Sequence, residues 1–170
     1  MAEAPLILTL RFDEASYEYF EALRRQHFPP ERNVIPAHLT LFHHLPGEKA
    51  PEIAATLREA ARQTAQIPLT VTGLRFLGRG TAFEIAGPPL AALRRDLATC
   101  WQADLTPQDA QGFRPHVTIQ NKMPADEARA TYEALRAAFM PFEATGTGLL
   151  LWHYRGGPWE PAGTFPFEGG

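Results

Sequence analysis

Apolar Leu6, Leu8, Leu10 and Phe12 alternate with Ile7, Thr9 and Arg11, and this period of two predicts a strand over residues 6–12. The period then changes. Asp13 is placed to cap a helix in which Ser16, Phe20, Leu23 and His27 share one stripe, and Pro29-Pro30 ends it. A second strand is predicted over residues 37–45, closed by Pro46-Gly47, after which Pro51 opens a helix that turns Ile53, Leu57, Ala60 and Thr64 inward. A third strand, rich in β-branched residues, runs from about Leu69 to Leu77.

After the turn Gly78-Arg79-Gly80 the same order begins again. A short strand over Thr81 to Ile85 leads to Pro88-Pro89 and a helix with Leu90, Leu93, Leu97 and Trp101 on one face. A polar loop follows, then a strand over His116 to Met123, a helix after Pro124 with Ala128, Tyr132, Leu135 and Phe139 inward, and a strand from Phe142 to Trp152. In the tail, Gly156-Gly157-Pro158 reads as the turn of a hairpin.

The second strand of each half carries the same tetrad, His38-Leu39-Thr40-Leu41 and His116-Val117-Thr118-Ile119, 78 residues apart. The helices that follow begin near 51 and 125, so the halves keep step to within a few loop residues. One domain is therefore expected over residues 1–170, with duplicated halves of about 6–78 and 80–153 and C-terminal strands in 154–170. The expected fold class is α+β: bilobal, with two antiparallel sheets lining a central cleft and helices on the outer faces.

Composition narrows the partners. A chain of 170 residues that is 45% hydrophobic can bury one ordinary core. Its formal net charge of −3 argues against a long groove that grips many phosphates, so a nucleic acid would be met at a few nucleotides. The single cysteine, Cys100, can form neither an internal disulfide nor a cysteine-rich zinc site. The start of the chain lacks the basic region of a targeting segment, and no apolar run approaches the ~18 residues of a membrane span. The expectation is a monomeric, cytoplasmic protein with no membrane partner.

Strand alternation places His38, Thr40, Phe42 and His44 on one face, and His116, Thr118, Gln120 and Lys122 on the corresponding face of the later strand. Two imidazoles can divide the proton transfers of phosphodiester chemistry, one taking a proton from the attacking oxygen and the other giving one to the leaving oxygen. Threonine hydroxyls can donate to the non-bridging oxygens, Lys122 can add positive charge, and Phe42 can stack on a base. A single His-x-Thr on a strand is usually structural. Two copies at matching places are poorly explained by packing, which Val or Ile would serve better.

The remaining candidates have plainer readings. His43 and His44 point to opposite sides of a strand and no carboxylate interleaves with them, so no metal site with His38 is expected. His27 sits at a helix C-terminus, His153 on a strand near the tail turn, and Cys100 beside Trp101 is expected to be buried packing. Tyr154, Trp152 and Trp159 are explained by packing near strands and turns. The glycine turns match neither a Walker loop nor a dinucleotide fingerprint, so no cofactor is expected.

With their flanks, Pro36-Ala37-His38-Leu39-Thr40-Leu41 and Phe113-Arg114-Pro115-His116-Val117-Thr118-Ile119, the tetrads give a chain that resembles the two-histidine phosphoesterase superfamily, in its 2′-5′ RNA ligase and 2′,3′-cyclic phosphodiesterase branch. The resemblance extends over nearly the whole chain. It implies a bilobal fold with the tetrads in a central cleft and chemistry on RNA 3′ ends or small cyclic nucleotides, without a metal or a nucleotide cofactor. The implied activity opens a 2′,3′-cyclic phosphate to a 2′-phosphate, with 2′-5′ joining in reverse. His38 and His116 would be acid and base, in an order that two nearly symmetric halves leave open, and Thr40 and Thr118 would hold the phosphate. Relatives often carry an arginine two residues after the second tetrad; here Gln120-Asn121-Lys122 follows, with Lys122 as the expected phosphate contact. Two other readings use the same residues: a catalytically weak RNA-end binder, and a phosphodiesterase for a non-RNA cyclic phosphate.

Overall fold

The structure is a computed structural model that describes residues 3–170. Its strands are β1 (Leu6–Phe12), β2 (Thr40–Leu45), β3 (Ile67–Phe76), β4 (Thr81–Ala86), β5 (His116–Gln120), β6 (Phe142–His153) and β7 (Glu160–Pro166). The helices are α1 (Glu14–His27), α2 (Ala50–Gln63), α3 (Pro88–Cys100), the single turn α4 (Pro107–Ala110) and α5 (Ala125–Ala138). Asp13 caps α1 as expected: its carboxylate accepts from the amides of Ser16 at 3.1 Å and Thr145 at 2.9 Å, which ties the helix start to β6.

The strands pair antiparallel in the order β2-β1-β6-β3-β4-β5, with β7 added to β6. The twelve-residue β6 makes this possible. Its stretch Gly146–His153 pairs with β1, Phe142–Gly146 pairs with β3, and Gly148–His153 takes β7 on its other edge. The α+β class with antiparallel pairing is borne out, but the two expected sheets are one, because the β3–β6 pairs join them. The pairing pattern is unchanged when the halves are exchanged: the first strand of each half lies against the last strand of the other, β1 on β6 and β4 on β3. Both tetrad strands, β2 and β5, end up at the two ends of the strand order.

Helices cover the apolar side of this sheet. Phe20 of α1 lies against Phe12 and Phe83 at ring distances of 5.2 and 5.5 Å, and Leu90, Leu93, Leu97 and Trp101 bury the inner stripe of α3 as predicted. Two departures matter later. The buried stripe of α1 is Ser16, Phe20 and Arg24, not Leu23 and His27, and α3 buries Arg94 as well. Cys100 is exposed, a correction that follows from helix geometry: adjacent residues lie about 100° apart, so it cannot share the stripe of Trp101. Among the described residues no helix is long and apolar enough to cross a membrane.

Candidate active site

Both tetrads begin as predicted, with Leu39 and Val117 buried and His38, Thr40, His116 and Thr118 partly open on the other face. Each strand then bulges at the fourth tetrad residue. On β2, Thr40 pairs with Thr9 and Phe42 with Leu8, so Leu41 is an extra residue; on β5, Thr118 pairs with Ala82 and Gln120 with Thr81, so Ile119 is extra. An extra residue reverses the face of everything after it. Phe42 consequently turns into the core, where it is fully buried at 5.1 Å from the Trp101 ring with the Arg94 guanidinium over its face. It cannot stack on a substrate, which corrects the sequence expectation. Gln120 is buried too, donating to Thr131 Oγ1 at 3.1 Å. The same reversal brings His43 onto the face of Thr40.

Lys122 lies beyond the end of β5 in a left-handed conformation, φ 63°, with its side chain exposed beside the turn at Arg79. The strand it was expected to continue stops at Gln120, and the structure does not bring Lys122 to the cleft.

The two tetrad histidines are held alike. Nδ1 of His38 lies 2.8 Å from the carbonyl of Pro36, and Nδ1 of His116 lies 3.0 Å from that of Arg114. A carbonyl only accepts, so in both rings Nδ1 carries the hydrogen and Nε2 is the nitrogen left for chemistry. The strands that carry them are fixed by buried arginines from the opposite half. Arg24 of α1 donates to the Thr118 carbonyl at 2.9 Å and to Asn33 at 2.8 Å, while Arg94 of α3 donates to the Leu41 carbonyl at 2.8 Å and the Asp109 carbonyl at 2.6 Å. Both accepted strand carbonyls sit at the bulges, where the ladder lacks a partner. Each arginine falls one turn after an apolar stripe residue, Phe20 or Leu90, and this position on the stripe is the sequence signal for its burial.

Thr40, His43, Arg75, Arg114 and His116 line one pocket of about 180 Å³. Beside His38 opens a second, of about 160 Å³, walled by Tyr17, Trp152 and Trp159. The Trp159 ring lies 4.7 Å from the His38 ring, and Trp152 is fixed by donating its indole N–H to Thr9 Oγ1 at 3.0 Å. The sequence singles out Phe42; the aromatic groups at the site are instead these two tryptophans. The missed groups on the other side are Arg75 and Arg114, both paired with Glu84 at 3.1 and 3.2 Å, and His43. Among the described residues no group of three or more His, Cys, Asp or Glu gathers as metal ligands.

Desolvation lowers the pKa of His38 from its ordinary 6.5 to about 4, and the nearby charges of Arg24, His116 and His43 push the same way against the Pro36 carbonyl. His116 is lowered as well, again chiefly by desolvation, with Arg75 opposing the imidazolium and Glu84 favouring it. The unfolded His38 ring binds a proton that the folded ring refuses, so stability present above pH 6.5 should fall as pH drops toward 4. Urea midpoints across that window should decline, and His38→Gln should flatten the decline; an unchanged slope in the variant would assign it to other groups.

The sequence model of the 2′-5′ RNA ligase superfamily matches residues 12–158. A protein of Geobacillus sp. strain WCH70 named as a phosphoesterase is 30% identical over 145 residues, covering 83% of this chain and 84% of its own. In fold, the chain is similar to TT0787 of Thermus thermophilus, with a TM-score of 0.64, 18% identity and coverage of 97% and 98% of the two chains. It is also similar to the apo form of E. coli LigT, at TM-score 0.61, 19% identity and coverage of 96% and 97%. The E. coli protein has also been solved with phosphate and with 3′-AMP.

Proposed function

The chain belongs to the 2′-5′ RNA ligase superfamily, and from that premise we propose a metal-independent phosphodiesterase that opens 2′,3′-cyclic phosphates at RNA 3′ ends to 2′-phosphates and runs in reverse as a 2′-5′ ligase. The observation that carries this reading is the matched pair of imidazoles, each with Nδ1 committed to a backbone carbonyl and Nε2 left free, in strands whose carbonyls are clamped by buried arginines. His38, with its pKa near 4, is neutral at pH 7 and acts as the base. Its Nε2 takes the proton of the attacking water as the new P–O bond forms. His116, entering as imidazolium, gives its proton to the 3′-oxygen as the P–O3′ bond breaks, and the 2′-phosphate remains. In the reverse direction a 5′-hydroxyl stands in for the water. Thr40 and Thr118 donate their hydroxyls to the non-bridging oxygens, where charge accumulates. Trp152, Trp159 and Tyr17 offer the base a stacking pocket, and a nucleotide such as the 3′-AMP held by E. coli LigT suits a cleft with an aromatic wall on one side and cations on the other.

The test is turnover in excess EDTA. Adenosine 2′,3′-cyclic phosphate should be converted to the 2′-phosphate, followed by phosphorus NMR, with no added metal or nucleoside triphosphate. Saturable binding of the compound with no product would favour the RNA-end binder, and activity restored only by a divalent ion would refute the metal-free mechanism.

A further inference from the structure

We propose that His43, Arg75 and Arg114 form a second anion subsite beside the reacting centre, which takes a phosphoryl group on the 5′-oxygen of the nucleoside whose cyclic phosphate is opened. This inference rests on the reading above and narrows its substrate class to 5′-phosphorylated or 5′-extended nucleotides.

The bulge in β2 puts His43 on the cleft, and Asp109 fixes it there. The Asp109 carboxylate is fully buried and accepts from the His43 amide at 2.8 and 3.0 Å, the His44 amide at 2.9 Å and His43 Nδ1 at 3.1 Å. Burial alone would raise this carboxyl, but those hydrogen bonds outweigh it and hold the group ionised below the ordinary carboxylate value. An ionised carboxylate only accepts, so His43 Nδ1 is the protonated nitrogen, and Nε2 of a half-exposed ring is left to the pocket that His116 and Thr40 share. On the opposite wall, Arg75 and Arg114 share the single carboxylate of Glu84, which leaves that wall with an excess positive charge. Arg114 is the more open of the two and its guanidinium is free to swing toward a ligand, while its backbone carbonyl stays on His116.

The charge count decides between one phosphate and two. A cyclic phosphate diester carries a single negative charge, and two imidazoles with two hydroxyls already answer it. The further guanidiniums and the third imidazole face the same pocket with no protein anion beyond Glu84 to meet them. A second phosphate supplies the missing charge, and planar guanidinium groups bind its oxygens through charge-assisted hydrogen bonds.

The test compares kcat/KM for adenosine 2′,3′-cyclic phosphate, its 5′-phosphorylated form, and a dinucleotide ending in the same cyclic phosphate. Adding the 5′-phosphoryl group should raise kcat/KM roughly 10-fold, and His43→Ala or Arg114→Ala should cut that gain to within about 2-fold. A gain with both compounds shows that the subsite takes a monoester or a diester, and a gain with the dinucleotide alone shows that it takes the internucleotide linkage; either supports the proposal. No gain with either compound, or a gain that survives both substitutions, overturns it. Calorimetry of adenosine 2′-monophosphate against adenosine 2′,5′-bisphosphate makes the same comparison without turnover, so the subsite is judged even if the enzyme reading fails. Asp109 is a positioning residue in this scheme. Asp109→Asn should lose the gain through KM and not kcat, and should add nothing to His43→Ala in the double variant; an additive loss would reduce Asp109 to a structural role.

Discussion

Replacing either His38 or His116 by alanine should lower kcat on a 2′,3′-cyclic nucleotide by on the order of 10²–10⁴, the range for one positioned acid or base. The expectation follows from the geometry: both rings reach the cleft through Nε2 only, because Nδ1 is already bonded to Pro36 or Arg114. The double variant should be little worse than the worse single one, since neither proton transfer helps without the other. Thr40→Ala and Thr118→Ala should cost less, each removing one donor to the phosphate. His44→Ala is the control, because His44 is exposed, lines neither pocket, and meets Asp109 through its backbone amide alone. If the control is as damaging as His38→Ala, or if the double histidine variant keeps wild-type turnover, the chemistry has been assigned to the wrong residues.

Arg94→Ala should cost about 3 kcal/mol of stability or more, and Arg24→Ala a comparable amount, the scale for stripping buried acceptors of a charged donor. Arg94 is 7% exposed and bonds two carbonyls from different parts of the chain, so its removal orphans both and opens a gap over the Phe42 ring. For a chain of this size that corresponds to a melting temperature lower by roughly 10 °C. Calorimetric melting reads it directly. A variant that melts within about 2 °C of wild type would mean that the bulge carbonyls find another donor.

The elements and the tetrads are legible because their signals are local. Period two in β1 and the stripe of α3 are written over one segment each, and the tetrads announce themselves by recurring. The misplaced residues share one cause. A bulge adds a residue to one strand relative to its neighbour, and no property of Leu41 or Ile119 marks it; only the pairing with β1 and β4 does. Simple alternation therefore assigns Phe42 to the cleft and His43 away from it, each on the wrong side by one reversal. Arg24 and Arg94 escape the sequence reading for a different reason. Their acceptors are carbonyls 94 and 53 residues away, and a charge on an apolar stripe has no evident partner until the chain has folded.

The long β6 has a consequence for how the molecule is made. Leu6 at the start of β1 pairs with His153 at the end of β6, and β3 needs Phe142–Gly146 of the same strand. At ordinary ribosomal speeds, β1 leaves the tunnel on the order of 10 s before its main neighbour does. During that interval β1 and β3 each have an edge without its eventual occupant, in strands rich in leucine and valine. The sequence separation makes these contacts slow to form even in the finished chain. The nascent protein therefore depends on being shielded until one late strand emerges, and a ribosome that stalls before Phe142 releases a product in which neither half can complete its sheet.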